Sequence, residues 1–121
     1  MAYSEYTADR IAQAFADQNA QIEVKKFMGG WVAMVDDKMC MGTHTDKKTG
    51  QDLLMARIGE EVMSEALLQQ GCLPMDFTGR PMKGYVFVAP IGYDTDEQLA
   101  YWVKKALAFN PLAKSSKRKK K

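Results

Sequence analysis

Residues 74–89, PMDFTGRPMKGYVFVA, constrain the fold more than any other stretch, because a turn-forming half runs directly into an apolar strand. Gly79 permits positive φ, and Pro81 fixes its own φ and pushes Arg80 toward extended geometry, so the chain turns there. Tyr85, Val86, Phe87, Val88 and Ala89 then form a β-branched and aromatic run without a polar break. Such a run predicts a central strand covered on both faces.

The flanking segments say what kind of sheet that strand joins. Ser4 caps a first helix over residues 5–17, with Ala8, Ile11, Ala12 and Phe15 on one face and Arg10, Gln13 and Asp17 toward water. Residues 22–27 read as a strand, and Gly29-Gly30 allows a bend before the next. Residues 31–35 and 39–43 form a hairpin around Asp36-Asp37-Lys38, and residues 53–58 are a fourth strand. A second helix follows Gly59, carries Glu60 and Glu61 in its first turn, buries Val62, Met63, Ala66 and Leu67, and ends at Gly71. Thr95 and Gln98 announce a third helix through a capping box. Its stripe is Leu99, Trp102, Val103, Ala106 and Leu107, Lys104 and Lys105 lie toward its negative end, and it stops near Asn110-Pro111. The order α-β-β-β-β-α-β(β)-α does not alternate strand and helix. It predicts an α+β fold, a two-layer antiparallel sheet with its helices on one face.

At 121 residues and 46% hydrophobic, the chain suits one domain over residues 1–111 that buries roughly two-thirds of its unfolded surface. Residues 112–121 read as a disordered basic tail. Lys114, Lys117, Arg118, Lys119, Lys120 and Lys121 supply six of the seventeen basic residues. Without them, eleven basic residues face fifteen acidic ones, a balance of −4, so only the tail attracts a polyanion by charge. Those six are the candidate nucleic-acid contacts, with steep salt dependence and no sequence readout. No window approaches a membrane span, and the start MAYSEYTADR lacks a leader pattern, so the expected location is cytoplasmic.

Two segments, KKFMGGWVAMVDDKMCMG and PMDFTGRPMKGYVFV, with the downstream AYWVKKALAF, resemble the TfoX N-terminal domain family in order from about residue 2 to residue 109. Lys26, Gly29 and Gly30 match its pattern in the first segment, and Phe77, Gly79, Arg80, Pro81, Met82, Lys83, Gly84 and Tyr85 match in the second. The resemblance implies a two-layer antiparallel α+β domain. It also implies association with competence regulation of the TfoX/Sxy kind, in which a coactivator works with the cyclic-AMP receptor protein at promoters. Full-length regulators of that kind carry a second, helical domain where this sequence runs into KSSKRKKK. The family supplies no catalytic role for the matched positions.

Other residue sets are better explained structurally. Cys40, His44 and Cys72 lack the close pairs and fourth ligand of a zinc site, and two cysteines in a reducing compartment default to thiols. Cys40 and His44, four apart on one strand, would point the same way about 13 Å apart, beyond hydrogen-bond reach. Asp94, Asp96 and Glu97 lack the glycine and distal glutamate of a calcium loop, and Gly29-Gly30 is followed by strand residues rather than a helix. No cofactor is expected, and no acid, base and nucleophile cluster marks an enzyme. Arg80 and Lys83, on a rigid turn, are candidate interaction residues, together with Tyr85, Trp31 and Lys26. Met28, Met34, Met39, Met41 and Met55 fall in or beside strands, as core filler or as an adaptable binding face. The reading that joins these points is a small regulatory or adaptor domain that contacts a protein partner, such as transcription machinery or a second copy. Non-specific nucleic-acid binding by the tail is the alternative, and an enzyme of unknown reaction ranks below both.

Overall fold

Alternation along the strands decides the architecture. The computed structural model describes residues 3–27, 30–46, 48–76 and 81–112, with only the backbone described at residues 27, 74–76 and 81–83. Helix α1 (Glu5–Asp17) precedes strands β1 (Glu23–Phe27), β2 (Gly30–Val35), β3 (Lys38–Thr45) and β4 (Asp52–Arg57). A 3₁₀ turn (Glu60–Val62) and the one-turn helix α2 (Met63–Ala66) lead to β5 (Cys72–Asp76) and β6 (Pro81–Val88), and α3 (Asp96–Phe109) follows. The six strands form one antiparallel sheet in the order β1-β2-β3-β4-β6-β5. The predicted α+β class is the observed one.

Residues of one strand face set a single core. Trp31 and Ala33 of β2, Met41 of β3, Leu54 and Ala56 of β4, and Val86 and Val88 of β6 are all buried against Ile11 and Phe15 of α1 and Leu99, Trp102, Val103 and Ala106 of α3. Their registers place them opposite one another across the ladder, as Met41↔Ala56 and Ala56↔Val86 illustrate. Both long helices therefore lie on one side of the sheet. Between Ala33 and Met34 the β2–β3 register shifts, so that Met41 pairs with Ala33 while Met39 pairs with Met34. The extra residue, Cys40, joins Met41 in the core.

Turn and cap chemistry follows the sequence closely. Asp36 and Asp37 both take positive φ, 55° and 62°, as a two-residue hairpin turn requires, so Lys38 belongs to β3 rather than to the turn. Ser4 accepts from the Thr7 amide at 3.3 Å, and Thr95 and Gln98 complete the capping box at 3.0 and 2.9 Å. The negative end of α3 is met from another element. Lys38 Nζ donates to the Asn110 carbonyl at 3.1 Å, and Asn110 Nδ2 donates back to the Val35 carbonyl at 3.2 Å. Lys105 instead pairs with Glu65 at 3.5 Å.

Three expectations need correction. The helix after Gly59 is one α-turn rather than a run to Gly71. Of its predicted face only Ala66 is fully buried, while Leu67 and Leu68 are exposed, so too little apolar surface is covered to offset helix nucleation. The strand through residues 85–88 is internal but lies second from the edge, between β4 and β5, with Val86 and Val88 buried and Tyr85 and Phe87 half-buried. Arg10 does not simply face water: its Nη2 donates to the Asp94 carbonyl at 3.2 Å and lies 3.5 Å from Asp96, tying α1 to the start of α3. The turn at Gly79 and Arg80 lies outside the described residues, though Asp76 pairs with Pro81 across it.

Trp102 anchors α3 through its indole N–H, which donates to the Gly92 carbonyl at 3.1 Å in a buried setting. Trp102→Phe retains an aromatic ring but leaves that carbonyl unpaired. We expect a loss of about 1–3 kcal/mol in urea unfolding with an unchanged fold by circular dichroism.

Candidate functional site

Alternation also determines what the helices leave uncovered. The registers Lys25↔Val32, Val32↔Gly42, Gly42↔Met55, Met55↔Phe87 and Leu73↔Phe87 define one row across all six strands on the opposite sheet face. Met34 with Met39 and His44 with Leu53 extend it. Val32, Met34 and Leu53 are buried, Met39, His44, Met55 and Phe87 are half-buried, and Leu73 is 46% exposed. His44 lies 5.5 Å from the Phe87 ring centre. A Cβ at Gly42 would sit 2.9 Å from the Trp31 carbonyl and 3.1 Å from the Met55 methyl, so the missing side chain lets Met55 and Val32 close over β3. Among the described residues no helix packs on this face.

A second feature occupies the end of the sheet, where β4 exits below the C-terminal end of α3. Arg57, the last residue of β4, is half-buried with its guanidinium 5.5 Å from the Tyr85 ring centre and 5.9 Å from that of Phe109. It lines a cavity of about 520 Å³ with Ile58, Gly59, Glu60, Glu61, Val62, Gly84, Lys105 and other residues. Gly59 has a φ of 89°, and a Cβ there would come within 2.5 Å of Phe109 Cδ1, so the ring occupies the space that the glycine leaves. Gly84 accepts from the amides of Ile58 and Gly59 at 2.8 and 3.0 Å, and donates its own to Met63 Sδ at 2.9 Å. The cavity floor is therefore rigid backbone.

The candidate interaction residues do not converge on one place. Tyr85 belongs to the cavity. Trp31 is only 6% exposed and lies in the core on the helix side, because it pairs with Thr43 rather than with the row through Val32. It is not a surface residue. Lys26 pairs with Trp31, is exposed, and holds its ammonium 5.8 Å from the Tyr3 ring, away from Tyr85. Lys83 lies in β6 with only its backbone described, and Arg80, Met28, Lys114, Lys117, Arg118, Lys119, Lys120 and Lys121 lie outside the described residues. The bulge overturns the shared direction assumed for Cys40 and His44: Cys40 enters the core while His44 lies on the open face beside Phe87. Of the methionines, Met41 fills the core, and Met34, Met39 and Met55 belong to the open face. Arg57 and Phe109 were not anticipated. The signal for Arg57 was a lone charge closing an apolar strand before Ile58-Gly59.

The TfoX N-terminal domain model matches residues 13–110. The chain belongs to the TfoX N-terminal domain family. That span covers every element from the middle of α1 to the end of α3, and it includes both the open face and the Arg57 cavity. It is a family of regulatory or adaptor type. None of the curated proteins matches the chain. Among the described residues of this TfoX N-terminal domain no helix is long and apolar enough to cross a membrane.

Burial governs the two thiols. It pushes Cys40 from 9.0 up to about 12, against the pull of the Arg57 charge, and Cys72 from 9.0 up to about 11. Folded-state values above unfolded ones mean stability that is complete below pH 9 and is lost as pH climbs through the folded values. Unfolding midpoints should therefore fall above pH 9. At pH 8 we expect Ellman's reagent to modify neither thiol in the folded chain and both after denaturation; rapid labelling of the folded protein would contradict the burial of Cys40.

Proposed function

We propose that this TfoX N-terminal domain is a cytoplasmic regulatory adaptor in transcription, acting through protein contact at the helix-free sheet face and without catalysis of its own. The observation that carries this reading is the one-sided layering. Helices bury one face of the sheet, and the other carries the half-buried Met55 and Phe87 and the exposed Leu73 in a connected apolar row. Flexible thioethers suit a surface that must fit a partner, and an apolar row that ends in the exposed Leu73 offers one a place to dock. The family membership supports the regulatory character, and among the described residues the row on that face holds a single basic side chain, Lys25, which is little to recommend nucleic acid as the ligand. Basic residues 114–121 support the second reading, phosphate contact by the tail.

A photo-crosslinker at Leu73 of the full chain, expressed in its own cells, separates the two. With nuclease treatment we expect an adduct to one protein of the transcription apparatus, lost when Met55→Lys is added. A charge at the centre of such a patch weakens affinity by about 30-fold, the effect of a 2 kcal/mol hot spot. Adducts with nucleic acid alone, or protein adducts indifferent to Met55→Lys, would overturn the reading.

A further inference from the structure

We propose that the cavity at Arg57 binds a monocarboxylate carrying an apolar or aromatic group, with Arg57 as its anchor. A guanidinium offers five N–H donors, and an arginine drawn out of solvent favours a partner for them. Arg57 has no carboxylate or hydrogen-bond acceptor among the described residues, whose ion pairs are Arg10–Asp96 and Lys105–Glu65. Its guanidinium lies against two rings, and its charge acts on the buried Cys40 thiol, a group that stays neutral and offers it no carboxylate. Held between Tyr85 and Phe109, the fork is oriented before any ligand arrives, so little side-chain freedom is lost on binding. A volume of about 520 Å³ falls in the range of small-ligand sites, roughly 300–1,000 Å³.

The charge of the site selects the anion. Lys105 is already engaged by Glu65, which leaves Arg57 as the one cation outside an ion pair among the described lining residues, in a cavity that Glu60 and Glu61 also line. A dianion such as a phosphate monoester would add repulsion that one guanidinium does not offset. A single carboxylate matches the fork in charge and bidentate geometry, and the exposed glutamates are screened by solvent and salt. Ile58, Val62 and Phe109 supply an apolar wall for the rest of the ligand. Two sources share this chemistry, a free aromatic acid and the C-terminal residue of a peptide. The inference is independent of what covers the sheet face.

The test is an amide NMR titration of the full chain with phenylacetate, phenylacetamide, phenyl phosphate, and the peptide Gly-Gly-Phe with either a free carboxylate or an amidated end. We expect saturable shifts at Gly59, Gly84, Tyr85 and Phe109 with the carboxylates, at least about tenfold weaker binding of the amides, and weaker binding of phenyl phosphate. A preference for phenylacetate assigns a free acid, and a preference for the peptide acid assigns a chain terminus. Arg57→Met should lose the binding by at least about tenfold, and Arg57→Lys, which keeps the charge without the fork, should lie between. Absence of saturable shifts, equal binding of acid and amide, tighter binding of phenyl phosphate, or binding indifferent to Arg57→Met would overturn it. The comparison of acid with amide needs no variant and so stands even if Arg57→Met fails to fold.

Discussion

The hydrogen bond from the Trp102 indole to the Gly92 carbonyl fixes α3 against the sheet, and the rest of the arrangement depends on where α3 lies. Trp102 is 1% exposed and meets Tyr101 edge to face, with ring centres 4.9 Å apart. Gly92 itself is wedged against the chain entering β5: a Cβ on Gly71 would stand 2.7 Å from the Gly92 nitrogen, and one on Gly92 would stand 2.5 Å from the Gln70 carbonyl oxygen. One point thus ties the start of β5, the exit from β6 and the middle of α3. Side chains any larger than glycine would separate them.

From that point α3 reaches both ends of the domain. The residues just before it receive Arg10 from α1, and the Asn110 carbonyl just past its end receives Lys38 from the β2–β3 hairpin. A cation from a neighbouring element complements the helix dipole more firmly than a flexible lysine in the helix's own last turn, because the hairpin holds it there. Phe109 is thereby placed over Gly59 and beside Arg57, which creates the cavity. The same packing places the helices of the described residues on one side and leaves the Met55–Phe87 row without helical cover. The open face and the Arg57 cavity are both consequences of one helix position.

Much of this was legible in the residues, for identifiable reasons. The capping box at Thr95 and Gln98, the Ser4 cap and the Asp36-Asp37 turn are local chemistry, which needs no tertiary information. The stripe of α3 was equally plain. What period alone did not reveal was the bulge at Cys40, since one extra residue exchanges the faces of everything before it. Trp31 was misplaced for a related reason: an aromatic residue in a strand shows no side until its partner, Thr43, is known. The run at residues 60–71 looked helical because Glu60, Glu61 and Ala66 favour a helix, yet the site offered too little apolar contact to extend it. Arg57 and Phe109 are 52 positions apart, and only the closure of β4 against α3 brings them together.

Among the described residues, helices cover this sheet on one side only. The most direct test of that layering follows the methionine methyl signals of the full chain by NMR while a soluble nitroxide is added. The account predicts strong broadening of Met55 and Met39, little of Met34, and none of Met41. Protection of Met55 equal to that of Met41 would mean that the face is already covered, and would contradict it.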